Sequence, residues 1–297
     1  MSPKNSELEP VCAWGHATSL AEPPVTGQGA SAPRLQRLRA LLHPPDPRPA
    51  VTDRELAAAA ARAAAQIALA RRGDPGAVAG KAAPTDVVSE VDREAEEAAI
   101  ALISAERPDD GYEGEEGASR PGARMWIVDA LDGTLNYLQG LAGWCAAVAL
   151  EDERGPLAAA VCDPVRGELF TAARGEGAAC NGELLRIPPA PALDAAVVAT
   201  FLHAPKRELP GVLPALGRVL AAAGSVRITG SGTLELAYVA AGRLHGWIQP
   251  ATYRWDWVPG ALLVQEAGGR AERTAGDPDW CVAAAPGLFE ALLKLTP

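Results

Sequence analysis

Between Met125 and Asn136 the chain reads Met-Trp-Ile-Val-Asp-Ala-Leu-Asp-Gly-Thr-Leu-Asn, an apolar run ending in two carboxylates three residues apart, then Gly-Thr. Met125–Asp129 is expected as a short buried strand. Two like charges at a strand end, where backbone groups already crowd, are poor for stability. Gly133 permits close backbone approach, and the Gly133 and Thr134 amides face an anion if a helix begins there. The segment therefore offers carboxylates for a hard cation and amides for a phosphate; an Asx-type turn is the alternative.

What surrounds this strand follows from periodicity and stop signals. Thr52-Asp53-Arg54-Glu55 has capping-box spacing ahead of an Ala-rich helix to about Arg72, which Gly73 and Pro75 end. A second helix is expected from near Ser89, with Val91, Ala95, Ala98 and Leu102 on one stripe. Trp144–Leu150, Leu157–Cys162 and Glu168–Ala173 read as strands, the last two joined by an Asp163–Gly167 turn. Then the rhythm changes to alternation: strands at Ala195–Thr200, Ser225–Thr229, Leu244–Gln249 and Cys281–Ala285, helices at Val212–Ala223, Thr233–Ala241 and Asp256–Ala267, and a last helix opened by Pro286. This pattern predicts a layered α/β or α+β sandwich in two lobes, about 51–187 and 188–297. Residues 1–50, rich in Pro, Ser, Thr and Gly, are expected to be a disordered extension with at most a short helix at Arg34–Leu42.

Composition bounds the partners. The chain has 297 residues, 48% of them hydrophobic, enough for a real core, with 27 Lys+Arg against 37 Asp+Glu and a formal charge of −10. That balance argues against nucleic acid and anionic membrane surfaces. Five scattered cysteines without a CxxC pair exclude a disulfide scaffold and a zinc finger, and suit a reducing compartment. No apolar run reaches about 18 residues, and Glu7 and Glu9 stand where a signal peptide needs an apolar core. A soluble, cytoplasmic protein is expected.

Besides Asp129 and Asp132, three acidic positions stand out: Asp92 in the first turn of the second helix, Glu115 in Gly114-Glu115-Glu116-Gly117, and Asp256 in Trp255-Asp256-Trp257. Each has an ordinary explanation, a helix-dipole acid, a solvated turn and an N-cap respectively. Should all five converge, mutual repulsion of roughly 4 kcal/mol per close pair forces protonation or cation uptake. An all-oxygen set selects Mg²⁺, Mn²⁺ or Ca²⁺ over zinc.

In order and spacing, Gly114-Glu115-Glu116, Trp126–Asn136 and Trp255-Asp256 with Gly268-Gly269 resemble the inositol monophosphatase family of lithium-sensitive, magnesium-dependent sugar and polyol phosphatases. The likeness runs over roughly residues 54–270. It implies a five-layer αβαβα sandwich, a homodimer and two or three Mg²⁺ ions. Carried over, it places Glu115, Asp129 and the Leu131 carbonyl on one metal, and Asp129, Asp132 and Asp256 on a second. Asp92 falls at a water-mediated or third-metal position. Thr134 and Asp92, with Glu115, would serve the attacking water. Asp132, Gly133, Thr134, Gln249 and Asp256 would meet the substrate, a small phosphate monoester such as inositol monophosphate. Histidinol-phosphate phosphatase, fructose-1,6-bisphosphatase and 3′(2′),5′-bisphosphate nucleotidase are alternatives within the superfamily, and a non-catalytic interaction protein is the rival outside it. The bisphosphate readings would call on Arg243, Arg254 or Lys206 for a second phosphate. Two departures stand out: Ala130 where the family commonly has Pro, and Gln249 where inositol-cleaving members carry an acid. An amide both accepts and donates, and carries no charge.

Overall fold

The computed structural model describes residues 51–81, 86–201 and 204–297. The extension expected over residues 1–50, with Cys12 and the helix at 34–42, lies outside them. Helix α1 (Asp53–Ala70) starts at a closed capping box: Thr52 Oγ1 accepts from the Glu55 amide at 3.2 Å, and the Glu55 carboxylate accepts from the Thr52 amide at 2.9 Å. Its buried stripe is Leu56 followed by alanines at 57, 60, 61, 64, 65 and 68. Small side chains let its axis approach helix α2 (Glu90–Glu106) and the sheet beneath closely.

Helix α2 begins after Ser89 as expected, but its buried face is Val91, Asp92, Ala95, Glu96, Ala99, Ile100 and Ile103. The expected stripe through Ala98 and Leu102 is thus displaced. The rows 91-95-99-103 and 92-96-100 lie side by side on a helix, and two acids can sit on that face because both are hydrogen-bonded.

An eight-stranded sheet holds β3 (Gly111–Gly114), β4 (Ser119–Arg120), β5 (Met125–Asp132), β6 (Cys145–Asp152), β7 (Gly155–Asp163), β8 (Glu168–Ala173), β9 (Gly177–Cys180) and β10 (Glu183–Leu184), in the order β10-β9-β8-β7-β6-β5-β3-β4. Only β3 and β5 run parallel. A second sheet has the order β12-β11-β13-β15-β14, from β11 (Val197–Ala199), β12 (Ser225–Arg227), β13 (Gly246–Pro250), β14 (Arg270–Arg273) and β15 (Trp280–Ala284). Here β11 runs parallel to both β12 and β13, and the β13-β15-β14 side is antiparallel. A short antiparallel pair, β1 (Val78–Gly80) and β2 (Val87–Ser89), precedes α2.

Alternation along the strands builds the layers. Trp126, Val128, Ala146, Val148 and Leu150 face α1 and α2. Their neighbours Ile127, Ala147 and Ala149, with Phe170, face the other way onto helices α5 (Gly232–Ala240) and α6 (Arg254–Glu266). Those two helices also cover Trp247, Cys281 and Ala283 of the second sheet. That sheet's far face, with Val198, Ile248, Trp280 and Val282, packs on α4 (Val212–Ala222) and α7 (Phe289–Leu293). The result is the αβαβα sandwich, and α5 and α6 form its middle layer.

Most boundaries differ from the sequence reading by one to three residues, and three of the differences bear on the site or the chain's end. Strand β5 runs on to Asp132. Helix α6 begins at Arg254 with Tyr253 as N-cap, so Asp256 is the third helical residue and caps nothing. The last helix starts at Phe289, after a turn through Pro286 and Gly287. Among the described cysteines, Cys145, Cys162 and Cys281 are buried and Cys180 half-buried, all as free thiols. No helix among the described residues is long and apolar enough to cross a membrane.

Candidate active site

The site starts from a fault in a strand. On β5, Asp129 stands opposite Ala147 of β6, yet Asp132 stands opposite Cys145, so three steps on one strand match two on the other. In a regular strand, residues three apart face opposite sides; the extra residue of this bulge turns both carboxylates into the same cavity. Gly133 then adopts φ +94°, and a Cβ there would meet the Gly143 carbonyl oxygen at 2.9 Å and Trp144 Cα at 3.2 Å. Glycine alone fits that turn. The short helix α3 (Thr134–Leu138) begins at the next residue.

Thr134 Oγ1 lies 2.8 Å from Asp92 Oδ1 and 3.1 Å from the Leu131 carbonyl, so its one proton goes to an acceptor and leaves its lone pairs for a donor. The other Asp92 oxygen accepts from the Ser89 amide at 2.8 Å and from the Ser89 hydroxyl, closing the α2 capping box. Asp92 thus stands behind Thr134 and does not line the cavity.

Asp132 Oδ2 accepts from Ser231 Oγ at 2.7 Å and the Thr233 amide at 2.8 Å, at the start of α5. Thr233 Oγ1 in turn donates to the Asp256 carbonyl at 3.1 Å, which ties α5 to the first turn of α6. One carboxylate oxygen from each of Asp129, Asp132 and Asp256 lies within 4.8 Å of the others. Asp129 Oδ1 accepts from the Leu131 amide at 3.0 Å, whereas its Oδ2 is buried with no hydrogen-bond partner. Burial, reinforced for Asp129 and Asp256 by the neighbouring carboxylates, raises the pKa of all three.

Glu115 lines the same cavity. Its carboxylate accepts from Lys81 Nζ at 2.8 Å, and the same ammonium reaches Glu116 at 2.7 Å. Burial opposes the Lys81 charge, but Glu115 and Glu116 together hold the ammonium above the usual lysine range. Burial raises Glu115 in turn, and Lys81 partly offsets it. The turn carrying Glu115 is fixed from below by Glu96 of α2, whose carboxylate accepts from the Glu116 amide at 2.8 Å and the Ala118 amide at 3.2 Å. Gly114 has room for no side chain, because a Cβ would run into that carboxyl.

The cavity, about 340 Å³, is lined by the acidic and turn residues Glu115, Asp129, Leu131, Asp132, Gly133, Thr134 and Asp256 and also by Phe201, Gln249, Tyr253 and Trp255. Gln249, 1% exposed at the end of β13, leaves its Oε1 without a partner. None of the basic residues considered for a second phosphate lines the cavity. Arg243 pairs with Glu168 at 2.5 Å, and Arg254 pairs with Glu113 and, at 2.5 Å, with Glu151. Lys206 is buried with its Nζ 4.4 Å from the Tyr253 ring centre. Arg207, not singled out from the sequence, does line the cavity.

Sequence reasoning missed Glu96, Ser231, Thr233 and Lys81. For Glu96 a signal existed: it stands one helical turn after Asp92, in the row that the capping box aims inward.

An acid-lined cavity in the middle of an αβαβα sandwich, with a carboxylate-bearing strand bulge feeding a tight glycine turn, defines a class of metal-dependent phosphate-handling folds. A family model described as the inositol monophosphatase family matches residues 51–294. Among relatives, the inositol-1-monophosphatase of Rhizobium meliloti is 40% identical over 190 residues, 63% of this chain and 71% of that protein. The Nus factor SuhB of Pseudomonas aeruginosa is 36% identical over 221 residues, 70% of this chain and 82% of that protein. The solved structure of extragenic suppressor protein suhB from Bartonella henselae aligns with a TM-score of 0.74 at 33% identity, covering 81% of this chain and 96% of that one. The chain belongs to the inositol monophosphatase family, and membership supports a phosphatase.

The residues present fit a divalent cation. Three carboxylate oxygens converge, the donors are all oxygen, and the orphaned Asp129 Oδ2 has neither proton donor nor solvent to satisfy it.

Proposed function

We propose that the protein is a Mg²⁺-dependent phosphomonoesterase acting on a small polyol or sugar phosphate, such as inositol monophosphate. The observation that carries this reading is the buried, unpartnered Asp129 Oδ2 beside Asp132 and Asp256, within one cavity shared with Gly133 and Thr134. Glu115, Asp129 and the Leu131 carbonyl would hold one Mg²⁺, and Asp129, Asp132 and Asp256 a second; Asp92, behind Thr134, would act through that hydroxyl in place of holding a third. Bound there, Mg²⁺ supplies neutralising charge to a phosphate and acidity to a water. The chain supplies the rest. Thr134 accepts a hydrogen bond from the attacking water while its own proton points to Asp92, and Glu115 completes that side of the cavity. The Gly133 and Thr134 amides receive phosphate oxygens, with Asp132 and Asp256 facing the ester. The leaving alcohol then falls towards Gln249. We further propose a homodimer in the cytoplasm, with no nucleic-acid or membrane partner, on the strength of the −10 charge and the family likeness.

Because relatives carry the name Nus factor SuhB, a second reading is an interaction protein with no turnover. Released phosphate decides between them. Inositol 1-phosphate, histidinol phosphate, fructose 1,6-bisphosphate and adenosine 3′,5′-bisphosphate are assayed with Mg²⁺ and with EDTA. At least one is expected to turn over only with Mg²⁺, and Asp129→Asn is expected to lose at least about 10²-fold in kcat/KM, on the order of 3 kcal/mol. Equal phosphate release by Asp129→Asn would overturn the metal assignment, and none from the native chain would favour the interaction reading.

A further inference from the structure

The last residue of the Met125–Asn136 segment has a task of its own. Asn136 follows Thr134 by two positions in α3, and both protons of its side-chain nitrogen are spent on backbone carbonyls, those of Gly143 and Thr229, each at 2.7 Å. Both partners only accept, so the nitrogen must face them; a carboxylate of the same shape would set acceptor against acceptor. Room for this amide is kept by Gly230, since a Cβ there would stand 2.7 Å from Nδ2. The two carbonyls belong to separate parts of the site. Against the Gly143 carbonyl the Gly133 turn closes. Thr229, 93 residues onward, follows β12 of the second sheet and opens the loop that brings Ser231 and Thr233 to Asp132. That loop is gripped at Thr229 from another side too, where the Thr229 amide and hydroxyl donate to Glu235 Oε1 at 2.7 and 2.8 Å.

A helix of five residues is too short to hold its place by its own hydrogen bonds, so α3 depends on what its side chains reach. Its one buried side chain, Tyr137, donates its hydroxyl proton to the Ala68 carbonyl at 3.0 Å and so fastens α3 to α1. Asn136 fastens it to the second sheet. We propose that Asn136 is a positioning residue: by tying the Gly133–Thr134 turn to the Thr229–Thr233 loop, it fixes the amides that receive phosphate relative to the Asp132 carboxylate. It acts through Gly143 and Thr229, not on the ester. Without the tie, two segments from different sheets have to be ordered when phosphate and cation bind, and that ordering opposes binding. The proposal deepens the phosphatase reading, on which only its consequence for turnover rests.

The experiment follows hydrogen exchange of single amides in the full chain without Mg²⁺, native against Asn136→Ala. The Thr229 and Thr233 amides are expected to exchange at least about tenfold faster in the variant, while Val148 and Ala149 in the middle of β6 change by less than about twofold. With Mg²⁺ present, the affinity for inorganic phosphate by calorimetry is expected to weaken at least about fivefold. For whichever ester turns over, kcat/KM is expected to fall at least about tenfold. Exchange accelerated alike at all four amides would reduce Asn136 to a contributor to global stability and overturn the proposal. Unchanged exchange at Thr229 and Thr233 would overturn it as well, whatever happens to activity. So would selective exchange with native phosphate affinity, because the tie would then order the loop without serving the site. Asn136→Asp, equal in shape but with no proton to donate, repeats the exchange comparison should the alanine variant not fold. If no ester is hydrolysed, the phosphatase reading alone fails, and exchange and phosphate binding still decide the tie.

Discussion

Glu96 shows how much of the site depends on a residue that never meets the cavity. Its buried carboxylate holds the Glu116 and Ala118 amides, and so fixes the turn that presents Glu115. Glu96→Ala leaves two amides without an acceptor, at about 1–3 kcal/mol each. The thermal midpoint is expected to fall, and the Mg²⁺ dissociation constant from calorimetry to rise at least about fivefold. Lower stability with unchanged Mg²⁺ affinity would show that the turn does not govern Glu115. Why Glu96 escaped the sequence reading, while Asp129, Asp132, Gly133 and Thr134 did not, has a physical reason. The latter are contiguous and chemically odd where they stand, two charges at the end of an apolar strand. Glu96 carries only one local mark, its place one helical turn after the capping-box Asp92, and its role appears only when its partners, 20 and 22 residues onward, fold over it. Ser231 and Thr233 are likewise hidden, 99 and 101 residues from the Asp132 carboxylate they hold.

Among the elements, the β5–Gly133–α3 unit decides most. A strand, a bulge, a left-handed glycine and a helix start follow within a few residues, and the bulge alone brings Asp129 and Asp132 to one side. Gly133→Ala forces a side chain into φ +94° and against the Gly143 carbonyl. A non-glycine residue at such a position costs about 1–2 kcal/mol before any clash. Expected are a loss of at least that size in urea unfolding and at least about tenfold lower kcat/KM, because Thr134 is the next residue. A variant with native stability and activity would show that the turn can be rebuilt. The existence of the longer helices was legible, since their caps and apolar periods are local, whereas the five-residue α3 entered only as a condition on the Gly133 and Thr134 amides. The faces and starts were less so: the α2 stripe turned by one position to take in Asp92 and Glu96, and α6 began two residues before Asp256. Both shifts come from contacts that carry a polar group inward, which hydropathy reads as a surface.

For the molecule as a whole, burying acids in a middle layer makes stability depend on pH. Burial pushes Glu235 of α5 up to about 8 despite donors from Thr229 and Trp247. Its folded pKa therefore exceeds the unfolded value of about 4.3, and the folded chain holds the proton longer. This contribution is greatest at low pH, declines as pH rises from about 5 to 8 by at most about 1.4 kcal/mol per unit, and is flat above. Urea midpoints at pH 5.5, 7 and 8.5 are expected to fall less steeply in Glu235→Gln than in the native chain; parallel curves would remove Glu235 from the account. By itself the sequence did not yield the short strands β1 to β4, β9, β10 and β14, but it determined the long helices and the longer strands, the layered α/β class, the carboxylate–glycine segment and, through resemblance, the family. These follow from caps, hydrophobic periods and motif spacing, all properties of neighbouring residues. Only the tertiary structure decided that β5 bulges, that Asp92 stands behind Thr134, that Arg243 and Arg254 are tied up in ion pairs, and that Tyr253 and Trp255 wall the cavity. Each depends on which distant groups meet once the layers stack, and local spacing carries no information about that meeting.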